Sequence, residues 1–305
     1  MKRNLAANLA QSISMWRSLR RFPGAFRLSD ALLQFNRVVL PQRFHHQAAG
    51  KALHQRTRIE KVDSQLWRVE VPELSLHFYW PQEPDNNLWF AIEQELETRN
   101  PHYYNTPPVQ LGPVSTVFDI GSCEGLFAFR VLRQRLAQRV IAFEPFPRMR
   151  ELLSRGAVEN RVGDRLQIEP SAVGAAIGSA RFSTGAVSDG NALTSDSSRG
   201  HTGSIDVHVT TLDAFCTTHG LRLKAADLIK IDVEGADFSV LEGAANSIRE
   251  HKPQISVTTY HEVAHAEQML EFLRRLVPDY KFRVKGCAFW MSPIRPVLLQ
   301  ASILP

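Results

Sequence analysis

Apolar residues at the start of the chain recur at helical spacing: Leu5, Leu9, Ile13 and Trp16 are four, four and three apart. Arg17, Arg20 and Arg21 crowd the end of this helix, and Pro23-Gly24 stops it. A second helical run over residues 31–40 follows Ser29-Asp30, a capping pair, and ends at Pro41. The period then changes. Residues 66–71 and 74–80 are rich in β-branched and aromatic side chains and are punctuated by Pro72 and Pro81, which predicts a hairpin. A helix over residues 88–96 follows, opening near Asn86-Asn87 and stopped by Asn100-Pro101. Tyr103, Tyr104 and Pro107-Pro108 read as a linker.

From Thr116 the chain alternates between short β-branched runs and amphipathic stretches. Strands are predicted at residues 116–120, 140–144, 166–168, 228–233 and 254–258. Helices are predicted over residues 125–137, where Leu126, Phe129, Leu132 and Leu136 share a face, and over residues 237–250, where Phe238, Leu241, Ala245 and Ile248 do. Such alternation predicts an α/β fold with a mostly parallel sheet and helices on both faces. Residues 280–285 and 296–301 add two strands without a helix-length gap, so the seven-stranded sheet should end antiparallel. Residues 183–204, rich in Ser, Gly, Thr and Asn, form a polar loop or hairpin insertion.

Composition narrows the class. At 305 residues, 44% hydrophobic and 22% charged, the chain is an ordinary globular one, long enough for one large domain and an appendage. No apolar run reaches the roughly 18 residues a membrane span needs. Three scattered cysteines, Cys123, Cys216 and Cys287, argue against a disulfide framework and suit a reducing, cytoplasmic setting. The net charge of +5 is unevenly spread, because residues 1–61 hold twelve Lys or Arg against Asp30 and Glu60. Removing these from the totals of 36 and 31 leaves 24 basic and 29 acidic residues in the body. The body therefore lacks the basic excess a nucleic-acid partner needs, and none is expected.

Two readings stand for the basic helical arm, residues 1–61. Packing on the body or on a second subunit ranks first; the other is peripheral contact with an anionic membrane surface. Its Arg-rich, acid-poor composition is also that of an organelle transit peptide. Residues 62–115 are a hairpin and helix leading into the core and a candidate acceptor cap, and residues 116–305 form the main domain.

Ligands of an open parallel sheet bind beyond the carboxyl ends of its strands, and three acidic motifs fall there. Asp119-Ile120-Gly121-Ser122-Cys123-Glu124-Gly125 closes one strand and opens the next helix; its glycines permit close backbone approach. It is neither the dinucleotide fingerprint nor a Walker loop. Glu144, 25 residues after Asp119, ends the next strand, where a carboxylate can accept from both hydroxyls of a ribose. Lys230-Ile231-Asp232-Val233-Glu234-Gly235 ends the fourth, with Asp237 expected as a helix N-cap. Lys230 inside a central strand needs a carboxylate partner, Asp119 or Asp232.

In order and spacing, Asp119 to Gly125, Ala142-Phe143-Glu144-Pro145, Thr211-Leu212-Asp213, Ile229 to Asp237 and Tyr260-His261 resemble the FkbM-type S-adenosylmethionine-dependent methyltransferases. The resemblance runs from about Thr116 to Ala301. The family's loop usually reads Asp-x-Gly-Ala-Asn-x-Gly, whereas Ser122 and Cys123 stand here in place of Ala and Asn. The resemblance implies a Rossmann-like class I methyltransferase fold and S-adenosylmethionine as cofactor. It places the Gly121–Gly125 loop, with Ser122 and Cys123, under the methionine part and Asp119 near its ammonium group. Glu144 and Pro145 fall at the ribose, Ser171 and Ala172 at the adenine edge, and Asp232 and Glu234 on the donor's methyl side. The implied reaction is methyl transfer to a hydroxyl of a sugar, glycan or related small molecule.

The candidate proton acceptors are His261, whose ordinary pKa suits base catalysis, and Asp232, at the strand end nearest the methyl. His261-Glu262-Val263-Ala264-His265 nominally matches a zinc-protease pattern, but that pattern needs a helix carrying both histidines, and His261 follows a strand directly. No metal is expected. Cys123 reads as a packed small side chain, since no basic residue adjoins it. A non-catalytic binding member of the same fold and a nicotinamide oxidoreductase are the alternatives.

Overall fold

The computed structural model describes residues 5–30, 32, 55–184 and 203–305. Most of the expected second helix, and all but the ends of the polar insertion, lie outside the described residues.

Seven strands build the central sheet: β4 (Thr116–Ile120), β5 (Arg139–Phe143), β6 (Leu166–Glu169), β10 (Leu228–Ile231), β11 (Gln254–Thr258), β12 (Lys281–Ala288) and β13 (Arg295–Ser302). Their order is β12-β13-β11-β10-β4-β5-β6. β13 runs antiparallel to both β11 and β12, while the other neighbours pair in parallel, so one strand is reversed. The chain grows outward from β4 to β6, then returns to lay β10 on the other side of β4. That reversal opens a crevice above the carboxyl ends of β4 and β10.

Alternation along each strand feeds two apolar layers. Phe118, Ile120, Ile229 and Ile231 point into one, and Val117 and Leu228 into the other. The helix Leu5–Leu19 is present, and Met15, Leu19, Phe22 and Ala25 are buried in the first layer. Phe26 bridges to Val284 of β12, and Asp30 pairs with Arg283 at 2.7 Å. The described part of the basic arm is therefore packed on the body. No described helix is long and apolar enough to cross a membrane.

The expected hairpin is β2 (Leu66–Val71) and β3 (Leu76–Trp80), joined by a strand the hydrophobic pattern missed, β1 (Arg58–Asp63). β1 is mostly exposed, so no alternation marked it. Two strands that flank the insertion, β8 (Gly178–Thr184) and β9 (Gly203–Thr210), pair antiparallel beside β7 (Ala172–Val173).

Three boundaries differ from expectation. The helix expected over residues 125–137 ends at Arg133, before Leu136. β10 stops at Ile231, because Glu234 has φ +51° and Gly235 φ +104°; Asp232 and Glu234 lie in the turn beyond the strand. The helix expected over residues 237–250 is two, Asp237–Glu242 and Ala245–His251. The break falls at Gly243, where a Cβ would come 2.0 Å from the Gly174 carbonyl oxygen.

Candidate active site

β4 ends in the glycine loop. Gly121 has φ +82°, and a Cβ there would sit 1.9 Å from the Asp232 carbonyl oxygen, so only glycine lets the two strand ends close up. The Gly121 N–H donates to the Phe143 carbonyl at 3.1 Å, and the Ser122 hydroxyl donates to the Asp119 carbonyl at 2.8 Å. Gly125 then starts the helix Leu126–Arg133.

Glu144 follows β5 and is 2% exposed. One carboxylate oxygen accepts from the Cys123 N–H at 3.0 Å, the other from the Phe146 N–H at 2.9 Å. Burial pushes its pKa up to about 7, although these two backbone donors pull the other way. Its orientation is therefore fixed by the backbone, with each oxygen keeping a second acceptor direction.

A cavity of about 760 Å³ lies over these strand ends, within the usual range of small-molecule sites. Gly121, Ser122, Cys123, Glu144, Pro145, Ser171, Ala172, Asp232 and Glu234 all line it. Phe146 and Val173 add apolar surface near Ser171, whose hydroxyl is 3.2 Å from His208 Nδ1. Trp80, Phe90, His102, Tyr104 and Tyr260 form an aromatic wall. His102 lies edge-on to Phe90 and Tyr260 and stacks on Trp290. Burial holds the His102 imidazole at a pKa of about 4, so it is neutral near pH 7.

Three expected residues sit differently. Asp119 does not line the cavity: it is fully buried and paired with Lys230 Nζ at 2.9 Å, as the lysine required. Burial opposes both charges, but Asp119, followed by Asp232, keeps the Lys230 pKa above the ordinary lysine value. Lys230 also donates to the Gly121 carbonyl at 2.6 Å, so Asp119 acts on the loop through the ammonium. Cys123 is exposed rather than packed, at φ +46°. Asp237 is not an N-cap but the first residue of its helix, fully buried, accepting from the Val233 and Gly235 N–H groups.

Asp237 also meets His261, whose Nδ1 lies 2.8 Å from its Oδ2. His261 Nε2 lies 3.8 Å from Asp232 Oδ1 and 3.6 Å from Glu234 Oε2, and the ring stands behind these residues, off the cavity surface. Burial works against its charge, yet Asp237, then Asp232 and Glu234, push its pKa up to about 9. The helix His265–Leu276 begins after His261, so the zinc-protease arrangement is not formed.

Asp232 reaches the cavity with one oxygen held. The Tyr104 hydroxyl donates to Oδ2 at 2.6 Å, and the Thr258 hydroxyl lies 3.2 Å from Oδ1. The segment around Tyr104 carries no period to reveal that its hydroxyl would meet Asp232.

A switch-point crevice with a glycine loop, a buried carboxylate at the next strand end and an acidic turn after the central strand is the geometry of a Rossmann-like fold with room for a nucleotide-type ligand such as the expected S-adenosylmethionine donor. The donor fits the residues present: the glycine loop leaves close backbone access, and Glu144 offers fixed acceptor directions. The Methyltransferase FkbM domain model matches residues 119–284, more than half of the chain, and the chain belongs to that family. Among solved structures, methyltransferase FkbM from Methylobacillus flagellatus KT is 17% identical with a TM-score of 0.47, over 71% of this chain and 55% of that one. The chain thus spans little more than half of that relative. An rRNA methylase from Streptococcus thermophilus is 12% identical with a TM-score of 0.38, over 64% and 90% of the two chains. M. jannaschii TYW2 in complex with AdoMet is 11% identical with a TM-score of 0.40, over 81% and 85%. No curated protein matches the chain in sequence.

Proposed function

We propose that this protein transfers the methyl group of S-adenosylmethionine to a hydroxyl of a sugar, glycan or related natural product. One observation carries the reading: a single cavity joins the donor-side residues Gly121 and Glu144 to the Asp232 carboxylate and an aromatic wall. The sulfonium already activates the methyl, so the chain's task is to orient two partners and accept one proton. An acceptor oxygen lone pair forms the new bond to the methyl carbon as the carbon–sulfur bond breaks. The sulfur keeps that electron pair and leaves as S-adenosylhomocysteine.

Asp232 is the residue that receives the hydroxyl proton in this reading: of the two carboxylates beyond the loop, Asp232 is oriented by the Tyr104 hydroxyl, whereas the Glu234 side chain is 42% exposed. The Tyr104 hydroxyl holds one of its oxygens in place. His261, protonated near neutrality and turned away from the cavity, supports that carboxylate rather than serving as the base. Trp80, Phe90 and Tyr260 give a ring-shaped acceptor flat apolar faces, and neutral His102 offers nitrogen for a hydroxyl.

Thermal unfolding with S-adenosylmethionine, S-adenosylhomocysteine or NAD tests the donor, and a panel of sugars and polyhydroxylated small molecules, read by mass for one added methyl, tests the acceptor. The reading expects both S-adenosyl ligands to raise the midpoint and one alcohol class to gain methyl. A midpoint raised by NAD alone overturns the donor. Donor binding with no methylated product from any alcohol marks the chain as a binding member of the family.

A further inference from the structure

One stripe of the helix Leu5–Leu19 is packed on the body, and the neighbouring stripe is bare. Ser12, Met15 and Leu19 are buried at helical spacing. About a third of a turn away, Ile13, Trp16, Arg17 and Arg20 stand at i, i+3, i+4 and i+7, and all four are exposed. Ile13 and Trp16 each keep 45% of their surface in solvent. Trp16 meets Phe26 edge-on at 6.4 Å, which joins the chain after the helix to this face. Arg27 is exposed there, and Leu28 and Leu32 are 62% and 56% exposed.

The guanidinium groups of this face have no carboxylate against them. Among the described residues, Arg17, Arg20 and Arg27 make no ion pair, whereas the neighbouring Arg21 takes Glu267 at 2.6 Å. Asp30, one of only two acids in residues 1–61, is turned inward to the buried Arg283. Uncompensated positive charge therefore stands beside four bare apolar side chains.

A lone exposed apolar side chain is ordinary, whereas a cluster of them marks an interaction surface. Apolar side chains interleaved with unpaired arginines match the boundary of an anionic bilayer. Rings and aliphatic chains enter the acyl edge there, and guanidinium groups meet lipid phosphates. A nucleic acid offers phosphate but leaves Ile13, Leu28 and Leu32 in water. A second copy across a two-fold axis sets each arginine cluster against its own image.

We infer that this outer face, built on Ile13, Trp16, Arg17, Arg20, Arg27 and Leu28, docks the protein in-plane on an anionic membrane surface. The inner stripe holds the helix to the body, so insertion is shallow. Charge and apolar contact are then both required, since neither signal alone gives stable attachment. Docking needs neither donor nor acceptor.

The full-length chain is sedimented with vesicles of phosphatidylcholine alone, or with about one-quarter phosphatidylglycerol, at about 0.1 M and about 0.5 M NaCl, while tryptophan emission is read in parallel. Binding is expected on the anionic vesicles at low salt, at least about tenfold weaker at high salt, and absent on the neutral ones. Arg17→Glu combined with Arg20→Glu should weaken it at least about tenfold. Trp16→Phe should abolish the blue shift of emission that accompanies binding, although the other tryptophans remain. These side chains are exposed, so each variant should keep the wild-type melting midpoint. Equal binding to both kinds of vesicle, binding unchanged in the arginine variant, or binding to neither overturns the inference. A lipid-free dimer that Trp16→Ala dissolves, with no binding to vesicles, assigns the face to a second copy instead.

Discussion

Lys230 and Asp119 are register partners on adjacent central strands, and their side chains meet 2.9 Å apart at the point where strand order reverses. The pair is almost dry, with side chains 6% and 0% exposed. Its second contact, from the ammonium to the Gly121 carbonyl, ties the ion pair to the glycine loop.

Breaking that pair from either side leaves a buried charge without its partner. Asp119→Asn and Lys230→Met are each expected to cost about 3–5 kcal/mol of unfolding free energy. The double variant should cost clearly less than the two together, since neither charge then remains. Urea unfolding of the four proteins measures this cycle. Additive losses would mean that the two side chains do not interact.

Glu144 couples stability to pH. Its folded pKa of about 7 stands above the ordinary 4.5, so the folded state holds the proton more tightly than the unfolded chain. The resulting stabilisation of the ligand-free protein is full below about 4.5 and is lost as pH rises through about 7. The loss amounts to about 3 kcal/mol. Comparing denaturant unfolding of wild type and Glu144→Gln at pH 5 and pH 8 isolates this contribution. The variant should narrow the stability difference between the two pH values; an equal difference in both proteins contradicts it. The same variant should weaken S-adenosylhomocysteine by about 10–100-fold through the lost charged hydrogen bonds.

Tyr104 holds Asp232, and its hydroxyl is the part that matters. Tyr104→Phe keeps the ring against Phe127 and removes the 2.6 Å hydrogen bond. Turnover is expected to fall about tenfold while donor affinity changes less than threefold, because the lost interaction is about 1–2 kcal/mol and lies on the acceptor side. Steady-state kinetics and calorimetry give the two numbers. A loss of donor affinity as large as the loss of turnover would place Tyr104 under the donor instead.

The described arm belongs to the folding unit. Phe22 is 2% exposed in the first core layer, and Asp30 takes two hydrogen bonds from the buried Arg283 guanidinium at 2.7 and 2.8 Å. Phe22→Ala and Asp30→Ala should each destabilise by about 3–5 kcal/mol. No described residue before Trp80 lines the cavity, so donor affinity at low temperature should stay within threefold. Thermal unfolding beside calorimetry on each variant checks both halves; unchanged midpoints would mean that the arm is merely laid on the surface.

Period and punctuation carried the seven-stranded sheet, because its central strands are buried on both faces and its strands are separated by turn residues. They missed β1, whose residues are mostly exposed, and the split at Gly243, where the backbone of Gly174, distant in sequence, approaches too closely for any side chain. Gly121, Glu144 and Asp232 were legible as residues that follow directly from strand ends, and all three line the cavity. The supporting contacts were not. Tyr104 lies 128 positions before the carboxylate it binds, and Asp237 lies 24 before its histidine. Local pattern carries no record of such pairings, and a capping role was the natural local reading of Asp237.

Arg130 is fully buried, its guanidinium bound to Glu95 at 2.6 Å, to the Tyr103 hydroxyl at 3.1 Å and to Asn105 at 2.8 Å. It fastens the back of the helix Asn86–Leu96 to the helix that springs from the glycine loop. The front of Asn86–Leu96 presents Asn87, Phe90, Ala91 and Gln94 to the cavity. Under the proposed function, acceptor choice is written on the cavity-facing residues of a helix that Arg130 anchors through Glu95. A directed library confined to those four positions would vary the molecule that is methylated while leaving the donor's loop and carboxylates as they are.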